Sequence, residues 1–152
     1  MEEQAAASGF SHVVMIDYTD LNTTAGTTKT LEILPGMKLG SLVDKAAMYL
    51  ETGFVGASIT NLLLEVGWDS TADDADGLLA GYEVATAGTE ILAGDGDGAA
   101  FATLRTGFAF VAAGEIEALF TATGANLTAL TAGRVHIFLH VTQLADLARV
   151  IA

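Results

Sequence analysis

Between Glu115 and Val141, apolar and polar residues alternate in two blocks. In the first, Ile116, Ala118, Phe120 and Ala122 share one parity, while Glu115, Glu117, Leu119 and Thr121 share the other. In the second, Val135, Ile137, Leu139 and Val141 oppose Arg134, His136, Phe138 and His140. Successive side chains of a strand point to opposite faces, so each block predicts a strand buried on one side. A Thr/Ala/Gly/Asn stretch joins them, and the two strands are expected to pair as the centre of the fold.

The same pattern recurs upstream. Phe10 to Tyr18 predicts a strand, with His12, Val14, Ile16 and Tyr18 alternating against Val13, Met15 and Asp17. A polar loop, TDLNTTAGTT, follows. Thr30 to Leu34 predicts a short strand stopped by the turn dipeptide Pro35-Gly36. From Leu42 to Leu50, Ala46, Ala47 and Met48 suit a helix and Val43 and Tyr49 a strand; the close bracketing by Gly40 and Gly53 favours a strand. Asn61 to Trp68 alternates cleanly, with Leu62, Leu64, Val66 and Trp68 on one face.

Asp69 to Gly77 then reads as an acidic loop, Leu78 to Ala87 is ambiguous, and Thr89 to Leu92 suggests a short strand. AGDGDGAA is a second acidic loop, and Phe101 to Val111 a strand that turns at Ala112-Ala113-Gly114. About seven to nine short strands separated by turn signals indicate an all-β fold, an antiparallel β-sandwich of jelly-roll type. Residues 1–9 read as a flexible N-terminal arm, 10–142 as the sandwich domain and 143–152 as a C-terminal tail. In that tail Thr142 caps a short helix with Leu144, Leu147, Ala148 and Ile151 as its stripe, or the segment is an extended arm. No repeat of 20–50 residues is visible.

Composition narrows the function. A chain of 152 residues forms one domain that buries about 68–70% of its unfolded surface. Charged residues make up 16%, below the roughly 25% usual for soluble domains, so Thr, Ser, Asn and Gly supply much of the surface. Such a surface suits packing against copies of the chain or a scaffold. The net charge of -13 and six scattered cations (Lys29, Lys38, Lys45, Arg105, Arg134 and Arg149) argue against direct nucleic-acid binding and against an anionic membrane. No apolar run approaches the ~18 residues of a span. The opening MEEQAAASGF lacks the basic and apolar regions of a signal peptide, and cysteine is absent. Synthesis and folding in a cytoplasm are expected.

Candidate chemistry is sparse. Clustered carboxylates suit Ca²⁺, and the weak candidates are Asp74 and Asp76 in one acidic loop and Asp95 and Asp97 in the other. Neither loop keeps EF-hand spacing, because the fifth position is Leu78 or Ala99. Solvated turn aspartates are the simpler reading. His136 and His140 have HxxxH spacing, but four residues of strand span about 13 Å, too far for two imidazoles to share an ion unaided. They are expected at a surface or interface. Glu115 and Glu117 stand about 6.6–6.8 Å apart on one strand face, yet both read as solvated rather than as an acid–base pair. Gly94 to Gly98 lacks the spacing of a nucleotide loop, and no GxSxG, HExxH or P-loop motif occurs. Trp68, Phe101, Phe108, Phe110 and Phe120 read as packing rather than as a sugar platform. No enzyme activity, cofactor or resident metal is expected.

One arrangement is familiar as a whole: a Thr-rich loop, the turn Leu34-Pro35-Gly36, an alternating strand ending VGWD (Val66 to Asp69), the acidic loop, and FTATGANLTALTAGRVHIFLHV (Phe120 to Val141). Across roughly residues 19–142 this resembles the β-sandwich decoration, or cement, proteins of tailed-bacteriophage heads, in which a closing TGxNLxxLTAGxVxIxL segment recurs. The acidic N-terminal arm and the segment from Gln143 to Ala152 depart from that pattern. The resemblance implies a structural virion protein on the capsid exterior, made in the host cytoplasm. It would assemble as a homo-oligomer, a trimer, on the major capsid protein and brace the head lattice. Contact candidates are then Glu2, Glu3 and Phe10 in the N-terminal arm, Asn126 and Leu127 at the loop tip, and Leu144, Leu147 and Ile151 in the C-terminal segment. The alternative is a fibre, tail or cell-surface binding module that uses its acidic loops, with Ca²⁺.

Overall fold

The computed structural model describes residues 9–69, 74–85, 90–93 and 108–144. In chain order they form β1 (His12–Asp17), the one-turn helix α1 (Tyr18–Leu21), β2 (Thr28–Met37), β3 (Ser41–Gly56), β4 (Asn61–Asp69) and β5 (Asp74–Glu83). Then come β6 (Glu90–Ala93), β7 (Phe108–Ala109), β8 (Gly114–Thr123), a 3₁₀ turn (Leu127–Ala129) and β9 (Leu130–Gln143).

Two antiparallel sheets result. One has the order β1-β9-β3-β6, with β7 also on β3; the other has the order β2-β8-β4-β5. β6 faces Ala47–Leu50 and β7 faces Leu42–Val43, so they follow one another along one edge of β3. Taken as one interrupted strand, they complete the order of a jelly roll. The all-β sandwich expected from the strand spacing is therefore present. The closing strands are not partners of each other, however. β8 lies between β2 and β4, and β9 between β1 and β3, so the loop between them crosses from sheet to sheet.

The alternation explains the core. Leu62, Leu64, Val66, Ile116, Ala118 and Phe120 are fully buried on the inner face of one sheet. Val43, Met48, Leu50, Val135, Ile137 and Leu139 meet them from the other. Burying each such large side chain stabilises the fold by about 1.5–3 kcal/mol. Gly67 lets β5 close on β4, since a Cβ there would lie 2.0 Å from the Asp74 carbonyl oxygen.

Several boundaries differ from the sequence reading. β2 does not stop at Pro35-Gly36 but continues to Met37, with register shifts around Leu34. It is an edge strand, where proline costs no ladder hydrogen bond on the open side. Tyr18, expected to end the first strand, instead opens α1, which runs into the expected loop and is capped at its start: Thr19 N–H donates to Asp17 Oδ1 (3.1 Å) and Asp17 N–H to Asp20 Oδ2 (2.8 Å). Asp74 to Gly77 is the start of β5 rather than loop. β9 runs through Thr142 and Gln143, which pair with Leu42 and Ser41, and Leu144 follows it in helical conformation. The expected strand Phe101–Val111 is described only at Phe108–Ala109; its earlier part, the loop AGDGDGAA beyond Ala93 and the tail from residue 145 lie outside the described residues.

Candidate functional site

The outward faces and the ends of the sandwich carry its polar and exposed apolar groups. On the outer face of the β1-β9-β3 sheet, β9 turns Arg134, His136, Phe138 and His140 away from the core. The long strand β3 shifts register between Val43 and Lys45 and again between Leu50 and Thr52. Each shift leaves one extra residue, Asp44 or Glu51, and each carboxylate reaches a β9 histidine. His136 Nε2 lies 2.7 Å from Glu51 Oε2, and His140 Nδ1 is hydrogen-bonded to Asp44 Oδ1. The two histidines thus take separate carboxylates.

Arg134 ties this face to β1. Its Nε and Nη2 donate to Asp17 Oδ2 at 3.2 and 3.0 Å, and its Nη1 to Glu51 Oε1 at 3.5 Å. The Thr19 amide first, and then the Arg134 guanidinium, hold the Asp17 carboxyl below its usual range. Glu51 is also lowered, first by its hydrogen bond with His136 and then by the charge of Arg134. These carboxylates hold Arg134 above its ordinary value, the Asp17 bond contributing most.

His136 was expected at a surface or interface, and in the chain itself it is 2% exposed. Its ring stacks on Tyr49 (centroids 5.7 Å apart, 20° between planes) and lies 6.5 Å from that of Phe138. Phe10 in turn packs on Phe138 at 5.7 Å. An outer aromatic layer therefore covers a residue whose parity placed it outside. Its Nδ1 has no hydrogen-bond partner among the described residues.

A carboxylate cluster lies on the other sheet. Asp69 faces Glu115 across the β4–β8 ladder, and Glu117 faces Glu32 across β2–β8. Carboxylate oxygens of Asp69, Glu115 and Glu117 come within 4.8 Å of one another. Glu115 is pushed up by partial desolvation, then by a hydrogen bond with Glu32 and the charges of Glu32, Asp69 and Glu117. Such oxygens can share protons or meet a hard divalent cation. Sequence reasoning weighed Glu115 with Glu117 but missed Asp69 and Glu32, because cross-strand neighbours leave no local signal.

The same end of the molecule exposes apolar side chains. Gly40 N–H donates to the Phe110 carbonyl (2.8 Å), and Leu144 N–H to the Gly40 carbonyl (2.9 Å). Three chain segments meet there, and Leu39, Val111 and Leu144 are 63%, 69% and 39% exposed.

The contact candidates fall differently. Leu144 belongs to this apolar end, and Phe10 to the aromatic layer. Asn126 is exposed, but Leu127 is fully buried and plugs the opposite end of the core, its N–H donating to the Gly26 carbonyl at 2.8 Å. Leu127 therefore offers no surface for a partner. Asp74 is half-buried and Asp76 exposed, both on β5. Glu2, Glu3, Asp95, Asp97, Leu147 and Ile151 lie outside the described residues. Comparison with family models, curated protein sequences and solved structures gives no match to the chain.

Proposed function

We propose that this chain is a structural virion protein of the tailed-phage head-decoration type, which assembles as trimers on the major capsid protein and braces the lattice from outside. The observation that carries the reading is the apolar end formed by Leu39, Val111 and Leu144, exposed while most other large apolar side chains among the described residues are sequestered. Exposed large apolar side chains gathered where three segments meet mark a contact. The closing segment from Thr123 to Leu139, the low charged fraction and the jelly-roll order support the same reading. The energy of attachment would come from burying that end, at about 25 cal/mol per Å² of apolar surface.

The test is co-sedimentation with phage heads that lack their decoration protein, alongside light scattering of the free chain. Stoichiometric binding in multiples of three, abolished by Leu39→Asp or Leu144→Asp in chains that still melt cooperatively, is the expected result. A chain that leaves heads unbound rejects the reading. The Asp69, Glu115 and Glu117 cluster favours a second reading, a cation-dependent binding module of a fibre, tail or cell surface. A thermal shift with Ca²⁺ over EDTA that disappears in Glu115→Gln would support it, and equal melting in both would remove it.

A further inference from the structure

We infer that the outer edge of β1 pairs antiparallel with β1 of a second copy, joining two five-stranded sheets across a two-fold axis. An edge strand offers a row of N–H and C=O groups to any matching strand, and proteins usually blunt such edges with Lys, Pro, bulges or twist. The other sheet shows these devices. β2 carries Lys29, Pro35 and two register shifts, and β5 carries two register shifts and a left-handed Gly81. β1 has none of them. Its sequence, HVVMID, contains no Pro, Lys or Arg, and its register against β9 is unbroken from His12 to Asp17. Among the described residues β1 ends its sheet.

Both ends of β1 are also pinned. Ser11 N–H donates to the Leu139 carbonyl at 2.9 Å, and Val141 N–H to Ser11 Oγ at 2.8 Å. At the far end Asp17 is held by Arg134. The strand is thus preorganised, which lowers the ordering cost of pairing.

Symmetry selects the register. A two-fold axis perpendicular to the sheet keeps inner faces together, so opposed residues must share parity. Centring it on Val14 sets Val14 opposite Val14, Val13 opposite Met15, and Ser11 opposite Asp17 of the other copy. Centring it on Met15 would instead set the Asp17 carboxylate opposite Val13. The Val14 register buries Met15, which is 49% exposed, against an apolar neighbour. The edge is separate from the apolar end, so this pairing stands whether or not the chain decorates a capsid.

Because the chain has no cysteine, Val14→Cys gives a clean probe. Opposed Cα atoms of an antiparallel pair lie about 4.5–5.5 Å apart, within disulfide reach. Mild oxidation of folded Val14→Cys is expected to yield a disulfide-linked dimer. Met15→Lys, a surface change, is expected to halve the mass seen by sedimentation while the chain still melts cooperatively, without the concentration dependence that pairing gives the unaltered chain. Leu144→Asp should leave the cross-link unaffected even where it abolishes head binding, which keeps this inference distinct from the proposed role. A folded Val14→Cys chain that stays monomeric on oxidation, or an unchanged mass for folded Met15→Lys, overturns it.

Discussion

The rings of Phe54 and Phe120 meet across the gap between the two sheets, their centroids 5.7 Å apart and their planes inclined by 55°. Phe54 comes from β3 and Phe120 from β8, and both are fully buried. The tilted contact joins the two sheets through the core. Phe120→Ala should destabilise the fold by about 3–5 kcal/mol in denaturant titration, since the opposite sheet can collapse only partly into the space. A double-mutant cycle with Phe54→Leu should show coupling of about 0.5–1.5 kcal/mol.

Gly133 makes the place for Phe54. It has φ +140°, and a Cβ there would lie 2.2 Å from a Phe54 ring carbon and 2.8 Å from the Phe54 Cα. Gly133→Ala combines backbone strain with overpacking and should cost about 2–4 kcal/mol. Gly36 has φ +70° with nothing within 4 Å of such a Cβ, so Gly36→Ala should cost only about 1–2 kcal/mol. Equal losses at the two sites would contradict this account.

The ion pairs of Arg134 set an acid limit. Asp17 and Glu51 have folded-state pKa values below their ordinary ones, so their contribution is present above the unfolded-state pKa and is lost as pH falls through the lowered folded value. Melting temperature should therefore decline as pH drops through and below the carboxylate range. Arg134→Met should lower the melting temperature at neutral pH and flatten that decline. A wild-type slope retained in Arg134→Met would show that these pairs are not its source.

Glu115 works in the opposite sense. Its folded-state pKa is raised, so its ionisation opposes folding increasingly as pH rises from the unfolded value through the folded one. Glu115→Gln should raise the melting temperature at neutral pH and make little difference in acid, where Glu115 is already protonated. A drop at neutral pH would mean that the carboxylate makes a stabilising contact instead.

His136 has one ring nitrogen bonded to Glu51 and the other, Nδ1, with no partner among the described residues. A buried unsatisfied polar atom costs about 1–3 kcal/mol, roughly what the Glu51 bond returns. His136→Phe, which keeps a ring over Tyr49, should therefore change stability by less than about 1 kcal/mol. A substantially larger loss would show that the Glu51 link outweighs the orphaned nitrogen.

What the sequence made legible was which residues face inward. The parity of Ile116, Ala118 and Phe120, and of Val135, Ile137 and Leu139, matches their burial in full. Partnership was not legible, because period two specifies a face and is silent on which strand lies alongside. β8 and β9 were accordingly read as a pair, though each lies in a different sheet. Pro35 was read as a stop because a proline's effect depends on whether its strand is central or at an edge. The burial of His136 and of Leu127 was not legible for a related reason. One has outward parity but is covered by Tyr49, Phe138 and Phe10, and the other lies in a polar loop that folds back over the core.

The central positions of β8 and β9 bear on how the chain is made. β8 supplies the ladders to both β2 and β4, and β9 those to both β1 and β3. While the first hundred or so residues leave a ribosome, β1 and β3 have no strand between them, and neither do β2 and β4. Neither sheet can close until β8 and β9, Gly114 to Gln143, have emerged. Folding is therefore dominated by contacts between sequence-distant segments, a topology that slows it. A nascent chain stalled before Gly114 would expose several unpaired strand edges at once and depend on chaperones to remain unaggregated.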